Sequence, residues 1–255
     1  MTRWEKIESI RKKYYGKYAR KFKRALKNQV KPVFEYIDQY GPQGLEFNLD
    51  KIIQEDEIKE MYIDMYKDIG LRFRQEAHKN FAKKDLQDTL WETEIENYVR
   101  NYSFEKITWI SNTTRDIILN KYKSILQKTI DEGQSITSLK KQIINDLKKE
   151  FNKTADWRAL RIAHTEVMTA SNTATHMAEN EITIPVRKIW ITAVYGVART
   201  KERHTLMGLE DQKPMKGQPF NVDGVMMQYP GDPNGGAENV INCRCALAYE
   251  PIELN

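Results

Sequence analysis

The two cysteines of this 255-residue chain stand two apart, within residues 241–245, Ile-Asn-Cys-Arg-Cys. In extended backbone the side chains at i and i+2 project from one face. Cys243 and Cys245 are therefore expected to work as a pair, sharing a metal ion or forming a redox couple. The nearest imidazole upstream is His204, which closes residues 199–204, Arg-Thr-Lys-Glu-Arg-His. Thiolate and imidazole are the ligands zinc prefers, so His204, Cys243 and Cys245 form a candidate structural zinc site that would tie the histidine segment to the end of the chain. Asp211, Asp232, His164 or a water stand as candidates for a fourth ligand. The competing reading is a pair of reduced, buried thiols beside a hydrogen-bonded histidine.

Other polar groupings point less clearly to chemistry. Arg158, Arg161, His164, Thr165 and Glu166 crowd one helical segment, with Arg161 and Thr165 a turn apart. No nucleophile and base fall at matching positions, so an internal ion-pair and capping network holding this helix against the β portion is expected. Glu92 and Glu94 lie in a helix without an accompanying strand or Arg motif and read as surface charge. Residues 230–236, Pro-Gly-Asp-Pro-Asn-Gly-Gly, lack the lysine of a phosphate loop and precede no predicted helix, which leaves a rigid surface turn.

Charge is distributed unevenly. The formal net charge is +5, yet the first 31 residues hold twelve Lys and Arg against Glu5 and Glu8. Such a basic arm is the electrostatic footprint of a nucleic-acid or acidic protein partner. Arg11, Lys12, Lys13, Lys17, Arg20, Lys21, Lys23 and Arg24 are the candidate phosphate contacts, with nothing to suggest base readout. Apolar residues make up 40% and charged residues 30%. No apolar run is long enough to cross a bilayer, no secretory signal is evident, and two cysteines suit a reducing cytoplasm.

Helices must position most of these groups. Trp4, Ile7, Ile10, Tyr14, Tyr18, Phe22, Leu26, Val30, Val33 and Ile37 recur in steps of three and four, predicting one long amphipathic helix that ends at residues 41–44, Gly-Pro-Gln-Gly. A second helix is expected from about Asp50, carrying Ile58, Met61, Met65, Ile69, Phe73, Ala77 and Phe81. A third helical region runs from about Asp88 to Asp131, with a break near Ser103 or Asn112. Ser135 or Thr137 is expected to cap a short helix through Phe151. Residues 152–156 form the next boundary, before a helix to about Glu181 with a small-residue stripe of Ala163, Val167, Ala170, Ala174 and Ala178. Residues 186–194 then read as a strand, residues 220–229 as a hairpin turning at Asp223 and Gly224, and residues 243–249 as a final strand. The fold class expected is α+β: a helical N-terminal region, 1–150, followed by a compact α+β domain with a small antiparallel sheet, 151–255.

Taken in order, residues 158–166 with Asn172, the Trp190 strand, residues 199–204, Gly208, residues 229–233 (Tyr-Pro-Gly-Asp-Pro) and residues 241–245 resemble the phage Mu protein F-like family of head-morphogenesis, or minor head, proteins. The resemblance covers roughly residues 155–250. It implies a non-enzymatic structural component of a tailed phage or prophage. Such a protein would be present in few copies, associate with portal, capsid or scaffold proteins during assembly in the host cytoplasm, and reside in the virion near packaged double-stranded DNA. Residues 192–198 lack the acidic residue usual in the family before the Arg-rich stretch, and the loop after His204 is longer than usual. A metal-dependent nuclease and a DNA-binding module are the rival readings.

Overall fold

The structure is a computed structural model and describes residues 1–79, 88–132, 136–193, 204 and 208–252. Its elements in chain order are α1 (Arg3–Tyr40), α2 (Leu45–Ile52), α3 (Asp56–His78), α4 (Asp88–Tyr98), a π-helical turn (Val99–Ser103), α5 (Phe104–Glu132) and α6 (Ile136–Met177). A 3₁₀ turn (Ala178–Glu181), β1 (Val186–Ile191), β2 (Phe220–Val222), β3 (Val225–Met227), a second 3₁₀ turn (Pro233–Gly235), α7 (Gly236–Val240) and β4 (Ala246–Pro251) follow. Long helices with a small antiparallel sheet make this an α+β protein, as expected. None of the described helices is long and apolar enough to cross a membrane.

The chain groups into two compact units that do not follow sequence order. The first comprises Met1–Tyr18, Ile63–Asn101 and Arg161–Asn255, and the second Ala19–Tyr62 and Tyr102–Leu160. The division expected at residue 150 matches neither. It falls inside α6, which runs through residues 152–156 without a break. That stretch holds neither Gly nor Pro, and Thr154 turns its hydroxyl back onto the Glu150 carbonyl at 2.9 Å, the way a Thr is accommodated inside a helix.

In the first unit, β1 and β4 pair antiparallel, with Trp190 opposite Leu247 and Lys188 opposite Tyr249. The expected hairpin forms as β2 and β3 around Asp223 (φ 54°) and Gly224 (φ 83°), the positive-φ pair a two-residue turn requires. Trp190, Phe220, Met227, Tyr229, Val240, Cys243 and Cys245 share one buried core with Met168 of α6. The strand expected over 186–194 stops at Ile191, and Val194 lies outside the described residues. The last strand starts at Ala246, so both cysteines sit in the turn before it.

In the second unit, Val30, Val33 and Ile37 of α1 pack with Leu45 and Leu49 of α2, Ile118 and Ile125 of α5, and Ile143 and Leu147 of α6. The helix expected from Asp50 is two helices, α2 and α3, because Ile53 is extended (φ −87°, ψ 103°). Side chains serve the carbonyls freed there: Arg115 donates to Ile53 at 3.1 Å and Gln29 to Gln54 at 2.9 Å. The third helical region breaks at the π turn ending at Ser103 rather than near Asn112. Phe81, Ser135 and the side chain of Thr137 lie outside the described residues.

Candidate metal centre and the polar hub beside it

The core of the first unit brings the two cysteines and the histidine together. Asn242 takes up a left-handed conformation (φ 59°), and the turn it makes aims both sulfurs inward. His204 Nδ1 lies 3.4 Å from Cys245 Sγ and 3.7 Å from Cys243 Sγ. All three residues are 0% exposed, and their ligand atoms lie within 4.8 Å of one another. Around tetrahedral zinc, with Zn–S near 2.3 Å and Zn–N near 2.0 Å, sulfur and nitrogen ligands sit about 3.5 Å apart. The two observed N–S separations bracket that value, so the three groups fit a shared metal ion.

The electrostatics suit a cation as well. The hydrogen bond from Cys243 and complete burial push the Cys245 thiol well up, so a buried thiolate needs a positive partner to form. His204 Nε2 is buried without a partner among the described residues, and the edge of the Trp190 ring packs against the imidazole at 5.4 Å. A metal held here would have His204, Cys243 and Cys245 as protein ligands.

None of the residues considered as a fourth ligand joins the cluster. Asp232 accepts from the backbone N–H groups of Gln228 (2.6 Å) and Asn234 (3.0 Å) and so shapes its own loop. Asp211 is exposed. His164 packs on the Tyr15 ring, with centroids 4.3 Å apart, and accepts from the Arg244 guanidinium. Residues 199–203 lie outside the described residues.

Asn172 is the hub beside the cysteines. Its Nδ2 donates to Pro230 O (2.8 Å) and Cys245 O (3.0 Å), and its Oδ1 accepts from Leu247 N (2.9 Å) and Arg11 Nη2 (2.8 Å). Arg11 also donates to Ser171 Oγ at 2.8 Å and to the carbonyls of Arg244 and Cys245 at 3.2 Å. This overturns its placement among the phosphate contacts: Arg11 is 0% exposed. The stripe expected through Ile7, Ile10 and Tyr14 is only half-buried, and the buried face of α1 is turned away from it. Trp4, Glu8, Arg11, Tyr15, Tyr18 and Phe22 recur at steps of four and three, so the buried stripe of α1 passes through Glu8 and Arg11. Of the other candidates, Lys12, Lys13, Lys17, Arg20 and Arg24 are exposed, and Lys21 and Lys23 are half-buried. Lys17 pairs with Asp68 at 2.6 Å and Lys23 with Asp156.

The helical cluster at 158–166 bonds to several neighbours. Arg158 donates to the Ile110 carbonyl (3.3 Å) and Thr114 Oγ1 (3.2 Å) of α5. Glu166 accepts from the Tyr66 hydroxyl at 3.0 Å, and Thr165 accepts from Asn242 N at 3.3 Å. The contacts of Thr165 and His164 reach the chain around the cysteines, at Asn242 and Arg244. Residues 230–236 differ from the expected surface turn: Pro230, Gly231 and Asp232 are buried and the short α7 follows. Glu92 and Glu94 are exposed on α4, as read.

Lys188 escaped the sequence reading. Its Nζ donates to Gln218 O (2.6 Å) and Gln228 Oε1 (2.7 Å), and burial lowers its pKa to about 8. The alternation of β1 was the available signal, since Lys188 falls between Val186 and Trp190 on the inward face.

No family model, no curated protein and no solved structure matches this chain.

Proposed function

We propose that this chain is a structural component of a tailed-phage or prophage head, acting in head morphogenesis near the portal, with zinc as a structural ion and no reaction centre. The observation that carries the reading is how the residues behind the resemblance are used. Asn172, His204, Asp232, Cys243 and Cys245 are all buried and turned onto other parts of the protein. A catalytic zinc keeps a position open to substrate; these three ligands are wholly enclosed. The partners proposed are portal, capsid or scaffold proteins, and the location is the virion. The exposed basic residues of α1, without Arg11, would lie against packaged DNA and neutralise phosphates without reading sequence.

Proteomics with crosslinking on purified particles of the source phage tests the assembly role. The chain is expected in a few copies, crosslinked to portal or capsid protein; its absence from particles would end the proposal. Elemental analysis tests the metal. Reduced protein is expected to carry stoichiometric zinc, lost in Cys243→Ser, and zinc-free reduced protein would return the pair to a redox or purely buried role. Divalent-metal-dependent DNA cleavage abolished by His204→Ala would replace the structural reading with that of a nuclease.

A further inference from the structure

The outer edge of β4 borders a groove in the first unit with a volume of about 400 Å³. Its wall is apolar, made by Ile7 and Ile10 of α1 and by Phe73 and Ala77 of α3. The strand's hydrogen-bonding pattern fixes what faces this space. Leu247 N–H donates to Asn172 Oδ1 at 2.9 Å, and Tyr249 C=O accepts from Arg3 Nη2 at 2.7 Å. Both groups therefore point away from β1. In an antiparallel ladder the N–H and C=O of one residue point to the same side, so Leu247 C=O and Tyr249 N–H point to the groove too. Among the described residues neither has a partner. Arg3 and Asn172 thus cap the two ends of the edge and leave open the pair of groups flanking Ala248.

We propose that this groove binds an extended acidic peptide segment of a partner protein, added alongside β4. One residue of a chain running parallel to β4 satisfies both open groups, its N–H on Leu247 C=O and its C=O on Tyr249 N–H. A strand lies about 4.8 Å from its neighbour, whereas a helix needs a channel about 10 Å wide. The two open backbone groups call for an extended chain, since the backbone groups of a helix are already bonded within it. Charge selects the sign of the peptide. Lys6 lines the mouth together with Arg3, whose charge also faces Glu250, while Glu76 is matched by Lys79 at 2.8 Å and Arg72 at 3.2 Å, and Glu250 further by Lys213 at 3.6 Å. The wall then takes apolar side chains alternating with the acidic ones, the usual division of labour in strand addition. The site uses none of the three metal-ligand candidates and stands or falls separately from the assembly role.

The test uses the full chain and short fluorescein-labelled peptides in which Val alternates with Glu, Gln or Lys, read by fluorescence anisotropy. The Glu peptide is expected to bind at least about tenfold more tightly than the Gln peptide, and the Lys peptide not at all. Methylating the backbone nitrogen of the central residue, or filling the groove with Ala77→Trp, is expected to weaken binding about tenfold or more, with the thermal unfolding of the variant unchanged. Should Ala77→Trp not fold, Lys6→Glu reverses the mouth's charge from an exposed position and is expected to abolish the preference for Glu. Absence of Glu-peptide binding at roughly millimolar concentration would overturn the proposal, as would equal affinity for the N-methylated peptide. Concentration-dependent self-association abolished by Lys6→Glu would assign the groove to a second copy of this chain instead.

Discussion

Arg11 carries five N–H donors into a fully buried place, and four protein oxygens accept from it there: Ser171 Oγ, Asn172 Oδ1 and the carbonyls of Arg244 and Cys245. Its charge also faces the buried Glu8, at 4.0 Å. Glu8 keeps Arg244 at 3.7 Å and the Tyr15 hydroxyl at 3.0 Å without it, so the loss falls on the buried acceptors that Arg11 serves, and Arg11→Leu is expected to cost about 1–3 kcal/mol. Arg11→Lys should recover only part of that, because a single ammonium cannot span four acceptors. Chemical denaturation of both variants checks the ranking. A pH effect belongs at this scale too. His164 accepts from Arg244 through Nδ1, which requires the neutral ring; burial, and then the neighbouring Arg244 charge, lower its pKa to about 4. The unfolded chain binds a proton near pH 6.5. Stability from this group is therefore complete above about pH 6.5 and lost as pH falls toward about 4. The drop in melting temperature between about pH 7 and about pH 5 is expected to shrink in His164→Gln, and an unchanged drop would assign it to other groups.

At the scale of elements, the contact that sets α6 against the loop before α7 is made through missing side chains. Gly231 has φ 91°, and a Cβ there would stand 3.0 Å from Thr169 Oγ1 and 3.2 Å from its Cα. Gly217 has a similar φ, 81°, with open space around it. Gly217→Ala is expected to cost only the backbone strain, about 1–2 kcal/mol. Gly231→Ala adds overpacking of about 1–3 kcal/mol to the same strain. Melting both variants separates the two terms, and equal losses would mean that the close approach is freely relaxed. The small-residue stripe of α6 was expected to admit such an approach, but Gly231 meets Thr169 and Met168, which lie outside it. Ala163, Ala170 and Ala174 of the stripe are all fully buried.

At the scale of the whole molecule, the first unit is assembled from three separate stretches of chain. Residues 161–255 obtain Arg11, Trp4 and Arg3 from the first stretch and Tyr66, Arg74 and Tyr98 from the second. These bind, in turn, Asn172, Arg244 O, Tyr249 O, Glu166, Glu181 and Tyr229. A fragment of residues 151–255, which sequence order suggests as a domain, lacks all six partners. It is expected to show no cooperative thermal transition by circular dichroism, where the full chain does. A cooperatively folding fragment would restore the sequential division.

The period of α1, the Gly41 stop, the Asp223–Gly224 hairpin and the pairing of Cys243 with Cys245 were all legible in the sequence, because each depends on residues close together in the chain. His204 was legible by ligand type alone; its distance to the sulfurs came only with the tertiary structure. Tertiary structure also decided that α6 runs unbroken, that Arg11 faces inward, and that the N-terminal helix belongs with the C-terminal strands. Local patterns specify which face of a helix is apolar, but its partner is set by which buried polar groups must be satisfied across the fold. Asn172 shows the difference: alone it is an unremarkable helical residue, and its four hydrogen bonds to Arg11, Pro230, Cys245 and Leu247 exist only once distant segments have met.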